Sequence, residues 1–342
     1  MTGSGDGGLQ ESLAGIDEAL ARGSADEALG LADQALRRWP DEGEVHHARG
    51  VALRALERCD EALDELRSAA SLAPDLADAW LDSAEILLED LADPVGALEI
   101  LDIALDELDD AGARAETNLL RGIALAQLED YTGALRALDE ARSLDPAHPE
   151  VEGERGSVLI ELLRLEEAEQ SLRAAVEARP DDAHALQLLA FVLDYSGRRE
   201  EATEIFRKAS EADPELPVEP PRLTEAEFDK ALSRALEKVP GPFRERLANC
   251  EIGVENYATR EFCRHEDCSP TTLGIYVGTP LPLREGGEPH ALPDRIVLFQ
   301  RALENACRDE EELVEEIGVT LRHEIGHLLG FSEEDLAERG HA

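Results

Sequence analysis

Aromatic side chains are scarce in this 342-residue chain, at 4% of the residues, and methionine occurs once. With so few large side chains, the cores must be filled by Ala and Leu on helices that approach one another closely. The five cysteines, Cys59, Cys250, Cys263, Cys268 and Cys307, are odd in number and not spaced like a secreted disulfide framework. Reduced thiols are therefore expected. Basic residues are also in short supply: 33 Lys and Arg stand against 77 Asp and Glu, a formal net charge of -44. That field repels phosphate backbones and anionic lipid, so neither nucleic acid nor membrane is expected as a partner. A solvated, solubilising surface is the plain reading of the acidic excess. The start, Met1 to Gly8, is polar and Gly-rich rather than apolar, and no run approaches membrane-spanning length, which leads to the expectation of a cytoplasmic protein. What is present suffices for cores: hydrophobic residues make up 43%, enough for two or three domains.

Prolines that end helical stretches fall at Pro40, Pro74, Pro146, Pro180 and Pro214, 34, 72, 34 and 34 residues apart. Small residues keep step with them. Gly50, Ala84, Gly122, Gly156 and Ala190 hold one register, and Ala28, Ala62, Ala97, Ala134, Ala168 and Ala202 another. Apolar residues at helical spacing lie between, such as Leu159, Leu163, Ala168, Leu172 and Ala175. Each period therefore reads as two antiparallel helices crossing at small residues. This pattern resembles the tetratricopeptide repeat, in about six units over residues 9–216. The third unit carries insertions around Leu91 to Pro94 and Asp109 to Gly112. The resemblance implies an α-helical solenoid whose groove holds a protein or peptide. His46, His47, His148 and His184 are read as isolated side chains without a site.

A Pro-rich stretch, 215–222, removes amide donors and reads as a linker. From residue 223 to 342 the character changes to α+β. Thr224 and Glu227 form a capping-box pattern before a helix, and short β-branched runs predict strands at Glu251 to Tyr257, Thr272 to Val277 and Arg295 to Phe299. The last of these is expected at the edge of a cleft, where it pairs with extended substrate. A helix is expected from Asp309, boxed by Glu312, to Leu329, with Gly330 beyond its end and an apolar stripe of Leu313, Ile317, Leu321 and Leu328.

On that helix lies His323-Glu324-Ile325-Gly326-His327. Two histidines at i and i+4 share a face, so both imidazoles reach one point and supply two ligands to Zn²⁺. A catalytic zinc needs a third protein ligand, and the next carboxylate after the turn at Gly330 is Glu333, with Glu334, Asp335 and His341 as alternatives. Glu324 lies beside the ion without ligating it and is the candidate general base toward a metal-activated water.

Residues 223–339 resemble the minimal zincin-like family of bacterial zinc metallopeptidases. The matching stretches are Leu273-Gly-Ile-Tyr-Val-Gly278, Leu292-Pro-Asp-Arg-Ile-Val-Leu298 and Val319-Thr-Leu-Arg-His-Glu-Ile-Gly-His-Leu-Leu-Gly330. The resemblance implies ligand roles for His323 and His327 and a base role for Glu324. The family carries Asp at the position of Glu333. The expected function is zinc-dependent peptide-bond hydrolysis with a repeat domain for docking. The alternative is a protein-binding scaffold whose zincin-like domain is silent. Cys263, His265 and Cys268, with Cys250 or Cys307, form a second, weaker metal pattern, and His290 is unassigned.

Overall fold

The computed structural model describes residues 6–216, 220–247, 250–280 and 294–332, and the chain falls into two compact units, Met1–Val158 and Leu159–Ala342. The first is a succession of helical hairpins: α1 (Asp6–Ala21) with α2 (Ala25–Arg38), α3 (Gly43–Arg54) with α4 (Cys59–Leu72), α5 (Ala77–Glu85) with α6 (Pro94–Glu107), and α7 (Ala111–Gln127) with α8 (Tyr131–Leu144). Helix α9 (Val151–Glu161) carries the chain from the first unit into the second.

The two registers of small residues are where the helices cross. Ala28, Ala62, Ala97 and Ala134 have no exposed surface. A Cβ on Gly50 would lie 2.8 Å from Cγ of Leu66, and one on Gly122 would lie 2.6 Å from Cγ of Leu138. The insertions of the third unit have their own local solutions. A π-helical turn, Ile86–Asp90, lengthens the first helix, and Asp93 caps α6 through the Gly96 amide at 2.9 Å. Asp110 caps α7 through the Ala113 amide at 2.9 Å. Three histidines of this unit each sit on one carboxylate: His46 on Glu65, His47 on Asp82 and His148 on Glu116. None of the described helices is long and apolar enough to cross a membrane.

The second unit begins with the end of α9, then α10 (Leu165–Ala178), α11 (Ala183–Tyr195) and α12 (Arg199–Ala212). It continues with α13 (Glu225–Lys238), α14 (Gly241–Arg246), β1 (Cys250–Glu255), α15 (Arg260–Glu266), β2 (Gly274–Val277), β3 (Asp294–Phe299), α16 (Gln300–Asn305) and α17 (Glu310–Leu328). The expected box at Thr224 is present, with the Thr224 amide donating to Glu227 at 2.8 Å. The three strands lie in the order β1-β3-β2, with β1 parallel and β2 antiparallel to β3. This corrects the expected place of β3: it is the central strand, both of its sides are already paired, and among the described strands β2 is at an edge. The reason lies in its sequence. Ile296, Val297, Leu298 and Phe299 are all buried, because both faces of the strand are covered. On one face, α13 and α17 pack through Phe228, Ala231, Leu313, Ile317, Leu321 and Ile325. The other face carries Ala258, Cys263 and Ala302.

Helix α11 and the segments that follow β1 and β3 share a buried polar seam within this unit. The Tyr257 hydroxyl donates to Asp194 at 2.5 Å and accepts from Asn305 Nδ2 at 2.7 Å. Tyr195 donates to the Ala258 carbonyl at 2.8 Å, and the rings of Phe191, Tyr195 and Tyr257 meet with centroids 5.1 to 5.8 Å apart. Burial, then the neighbouring Asp194, pushes the Tyr257 phenol far above its ordinary range. Close by, the fully buried Glu304 is matched by Arg301 at 2.7 Å, Gln300 at 2.7 Å and the Leu223 amide at 3.1 Å. Of the expected linker, residues 215, 216 and 220–222 fall between α12 and α13 in this unit, and 217–219 lie outside the described residues.

Candidate metal centre

Helix α17 is defined at both ends by local chemistry. Asp309 accepts from the Glu312 amide at 2.9 Å, which satisfies one orphan donor of the first turn. Glu312 does not return the bond to Asp309; its carboxylate takes the Arg308 amide at 2.6 Å instead. At the far end Gly330 has φ 87°, the Gly330 amide donates to His327 O at 2.9 Å, and the Phe331 amide donates to Gly326 O at 3.0 Å. This is a Schellman closure, which a residue without a Cβ adopts without strain. The expected stripe of Leu313, Ile317, Leu321 and Leu328 is buried, which fixes the helix's rotation and leaves His323, Glu324 and His327 together on an adjoining arc.

The two imidazoles converge. His323 Nε2 and His327 Nε2 are 3.0 Å apart, with ring centroids 4.7 Å apart and planes at 73°. Two nitrogens on one tetrahedral zinc, each about 2.0–2.1 Å from it, would be separated by about 3.3 Å. The pair therefore fits that ion with a few tenths of an ångström of adjustment. His327 Nδ1 lies 3.3 Å from the Phe331 carbonyl. A proton on Nδ1 directed at that oxygen leaves Nε2 with its lone pair outward, the tautomer a metal needs. The turn that ends the helix thus also orients its last histidine.

Glu324 is 5% exposed, and its Oε2 accepts from the Tyr276 amide of β2 at 2.6 Å. That amide points off the sheet because Tyr276 stands opposite Ile296 in the antiparallel ladder, whereas Leu273 bonds inward to the Phe299 amide. Strand and helix come this close at Gly274, where an added Cβ would lie 2.5 Å from Thr320 Cγ2. The Tyr276 hydroxyl in turn donates to Asp294 at 2.7 Å. Tyr276, Gly274 and Thr320 were not among the residues singled out from sequence. A main-chain contact across 48 positions leaves no side-chain pattern to read.

The remaining expected ligand, Glu333, lies outside the described residues, as do Glu334, Asp335, His341 and His290. Among the described residues no group of three His, Cys, Asp or Glu side chains could hold a metal ion. That includes the Cys263, His265 and Cys268 pattern, whose cysteines are free thiols. Cys263 faces the core, whereas His265 is 81% exposed and turned to Glu266. Cys250 lies on β1 and Cys307 is buried in the cluster on the opposite face of β3.

Burial, followed by the carboxylates of Glu316, Glu312, Asp309 and Glu304, pushes the Cys307 thiol up to about 12. The folded state then holds a proton that the unfolded state releases near the ordinary thiol value of about 8.5. The resulting stabilisation is complete below that value and is lost as the pH rises toward about 12. In urea unfolding the parent is expected to lose stability between about pH 8 and about pH 10 more steeply than Cys307→Ala. Equal slopes would contradict this.

Residues 247–341 match the profile of the zincin-like metallopeptidase family, and residues 13–77, 125–192 and 183–216 match profiles of the tetratricopeptide repeat. Among solved structures, a Pseudomonas aeruginosa protein described as pilF is similar at 18% identity, TM-score 0.54, covering 61% of this chain and 93% of that one. PilW, described as a widely conserved type IV pilus biogenesis factor, is similar at 20% identity, TM-score 0.53, covering 60% of this chain and 94% of that one. At these identities the likeness concerns the fold. No curated protein matches the chain.

Proposed function

We propose that this chain, which joins tetratricopeptide repeats to a C-terminal zincin-like domain, is a zinc-dependent peptidase with a repeat array for protein docking. The observation that carries the reading is the convergence of His323 and His327, Nε2 to Nε2 at 3.0 Å, beside a buried carboxylate. His323 and His327 would hold the zinc, with Glu333 as the third ligand. Zinc supplies Lewis acidity there, bringing the pKa of water toward neutrality and polarising a carbonyl. Glu324 is the general base: it takes the proton of the attacking water and delivers it to the leaving amine. The Tyr276 amide fixes the direction in which that carboxylate faces. A protein or peptide is the substrate class, and the repeats recruit it or a regulator. The net charge of -44 disfavours nucleic acid, and with the thiol composition it supports a cytoplasmic setting.

The reading is tested by hydrolysis of casein or a peptide library. Activity is expected to disappear on treatment with a zinc chelator and to return with added zinc. Hydrolysis indifferent to chelation, or absent from protein loaded with zinc, would overturn it.

A further inference from the structure

Next to the paired histidines, between the start of β2 and the middle of α17, lies a cavity of about 260 Å³. Leu273, Gly274, Thr320, His323 and Glu324 line it, and so does Glu316, two helical turns before the metal pair. Resting on the peptidase reading above, we propose that this cavity receives a basic side chain, Lys or Arg, of the peptide next to the bond that is cut, and that Glu316 is the residue that selects it.

The dimensions suit a long, thin side chain. Seven residues separate Glu316 from His323, which places them about 10 Å apart along the helix axis. Gly274 keeps the wall opposite Thr320 free of a side chain, and Leu273 offers apolar surface for the methylenes of a Lys or Arg stem.

The charge suits a cation. No Lys or Arg is among the lining residues, while two carboxylates are, Glu324 at one end and Glu316 at the other. Glu324 is held by the Tyr276 amide. Glu316 is half-buried, and among the described residues it makes no hydrogen bond or ion pair. Burial and then Glu312 hold its carboxyl above the ordinary carboxylate range, against a smaller opposing effect of Arg322, which does not line the cavity. A partly desolvated carboxylate without a partner is costly, and an incoming ammonium or guanidinium relieves the cost. A neutral side chain leaves Glu316 unpaired, and an acidic one is repelled.

The test uses the full chain, zinc-loaded, with Glu324→Gln to prevent turnover. Fluorescent alanine-rich peptides carrying Lys, Arg, norleucine or Glu at one central position are titrated by anisotropy. Lys and Arg peptides are expected to bind about tenfold more tightly than the norleucine peptide. Adding Glu316→Gln should reduce that ratio to near unity, and adding Glu316→Lys should make the Glu peptide the preferred one. Circular dichroism confirms that each variant is folded. Undiminished Lys preference in Glu316→Gln, equal binding of all four peptides, or binding of none overturns the assignment. Failures are separable: cleavage by the parent without basic bias removes the pocket and leaves the peptidase. Glu316-dependent Lys binding without hydrolysis by the zinc-loaded parent does the opposite.

Discussion

Peptide hydrolysis by the Glu324→Gln variant is expected to fall by about 10²–10⁴-fold while the variant keeps its fold and its zinc. The argument is geometric. Glu324 is one residue from His323 and three from His327 on the same helix, so a group at 324 faces what those imidazoles hold. Its Oε2 is tied to the Tyr276 amide at 2.6 Å, and glutamine's amide oxygen can accept the same bond, so the local structure survives. What glutamine lacks is basicity. KM should therefore change little beside kcat, because the loss is of proton transfer and not of binding. Activity within a fewfold of the parent would remove Glu324 from the proposed role.

A large loss of stability is expected at a second place in the same unit. Tyr257→Ala in the full chain should destabilise the second unit by about 3 kcal/mol, the low end of the range for losing an aromatic side chain, since it removes a partly buried ring from the cluster with Phe191 and Tyr195. Tyr257→Phe keeps the ring and deletes only the hydroxyl, which donates to Asp194 and accepts from Asn305. Its cost should be about 1–3 kcal/mol, the range for leaving buried polar partners unmatched. The carboxylate of Asp194 retains Arg222 only at 3.6 Å, so the lost bond is not replaced locally. Urea unfolding followed by the far-ultraviolet signal measures both. The seam also bears on truncation: a chain that begins after residue 216 lacks Asp194 and Phe191 and should lose the same contacts, whereas one that begins at Leu159 retains them. Variants at Tyr257 indistinguishable from the parent would show that the seam contributes nothing.

Sequence alone reveals whatever is settled within a few residues. The ends of α17 are such a case, because Asp309 caps its own first turn and Gly330 closes its own last one. The hairpins are another, since Gly50 and Gly122 sit a fixed distance from the Leu66 and Leu138 they accommodate. The histidine pair follows from helical geometry. The strand order does not, although Ile296 to Phe299, four successive apolar residues, carried the mark of a strand covered on both faces. Contacts made by the backbone or by lone side chains across long separations are harder to see. Tyr276 with Glu324 spans 48 positions and Tyr257 with Asp194 spans 63, and neither pair belongs to a periodic pattern. Nor did a carboxylate at Glu316 stand out, since it is one of 77 acidic residues in the sequence. Only the cavity distinguishes it.

The central claim concerns a metal ion between His323 and His327, and metal analysis combined with X-ray absorption at the zinc edge tests it most directly. The account predicts about one zinc per chain, with two imidazole nitrogens among its ligands at about 2.0–2.1 Å. Zinc should be lost in His323→Ala and in His327→Ala and kept in Glu324→Gln. Parent protein that takes up no zinc, or full zinc occupancy in both histidine variants, would contradict it.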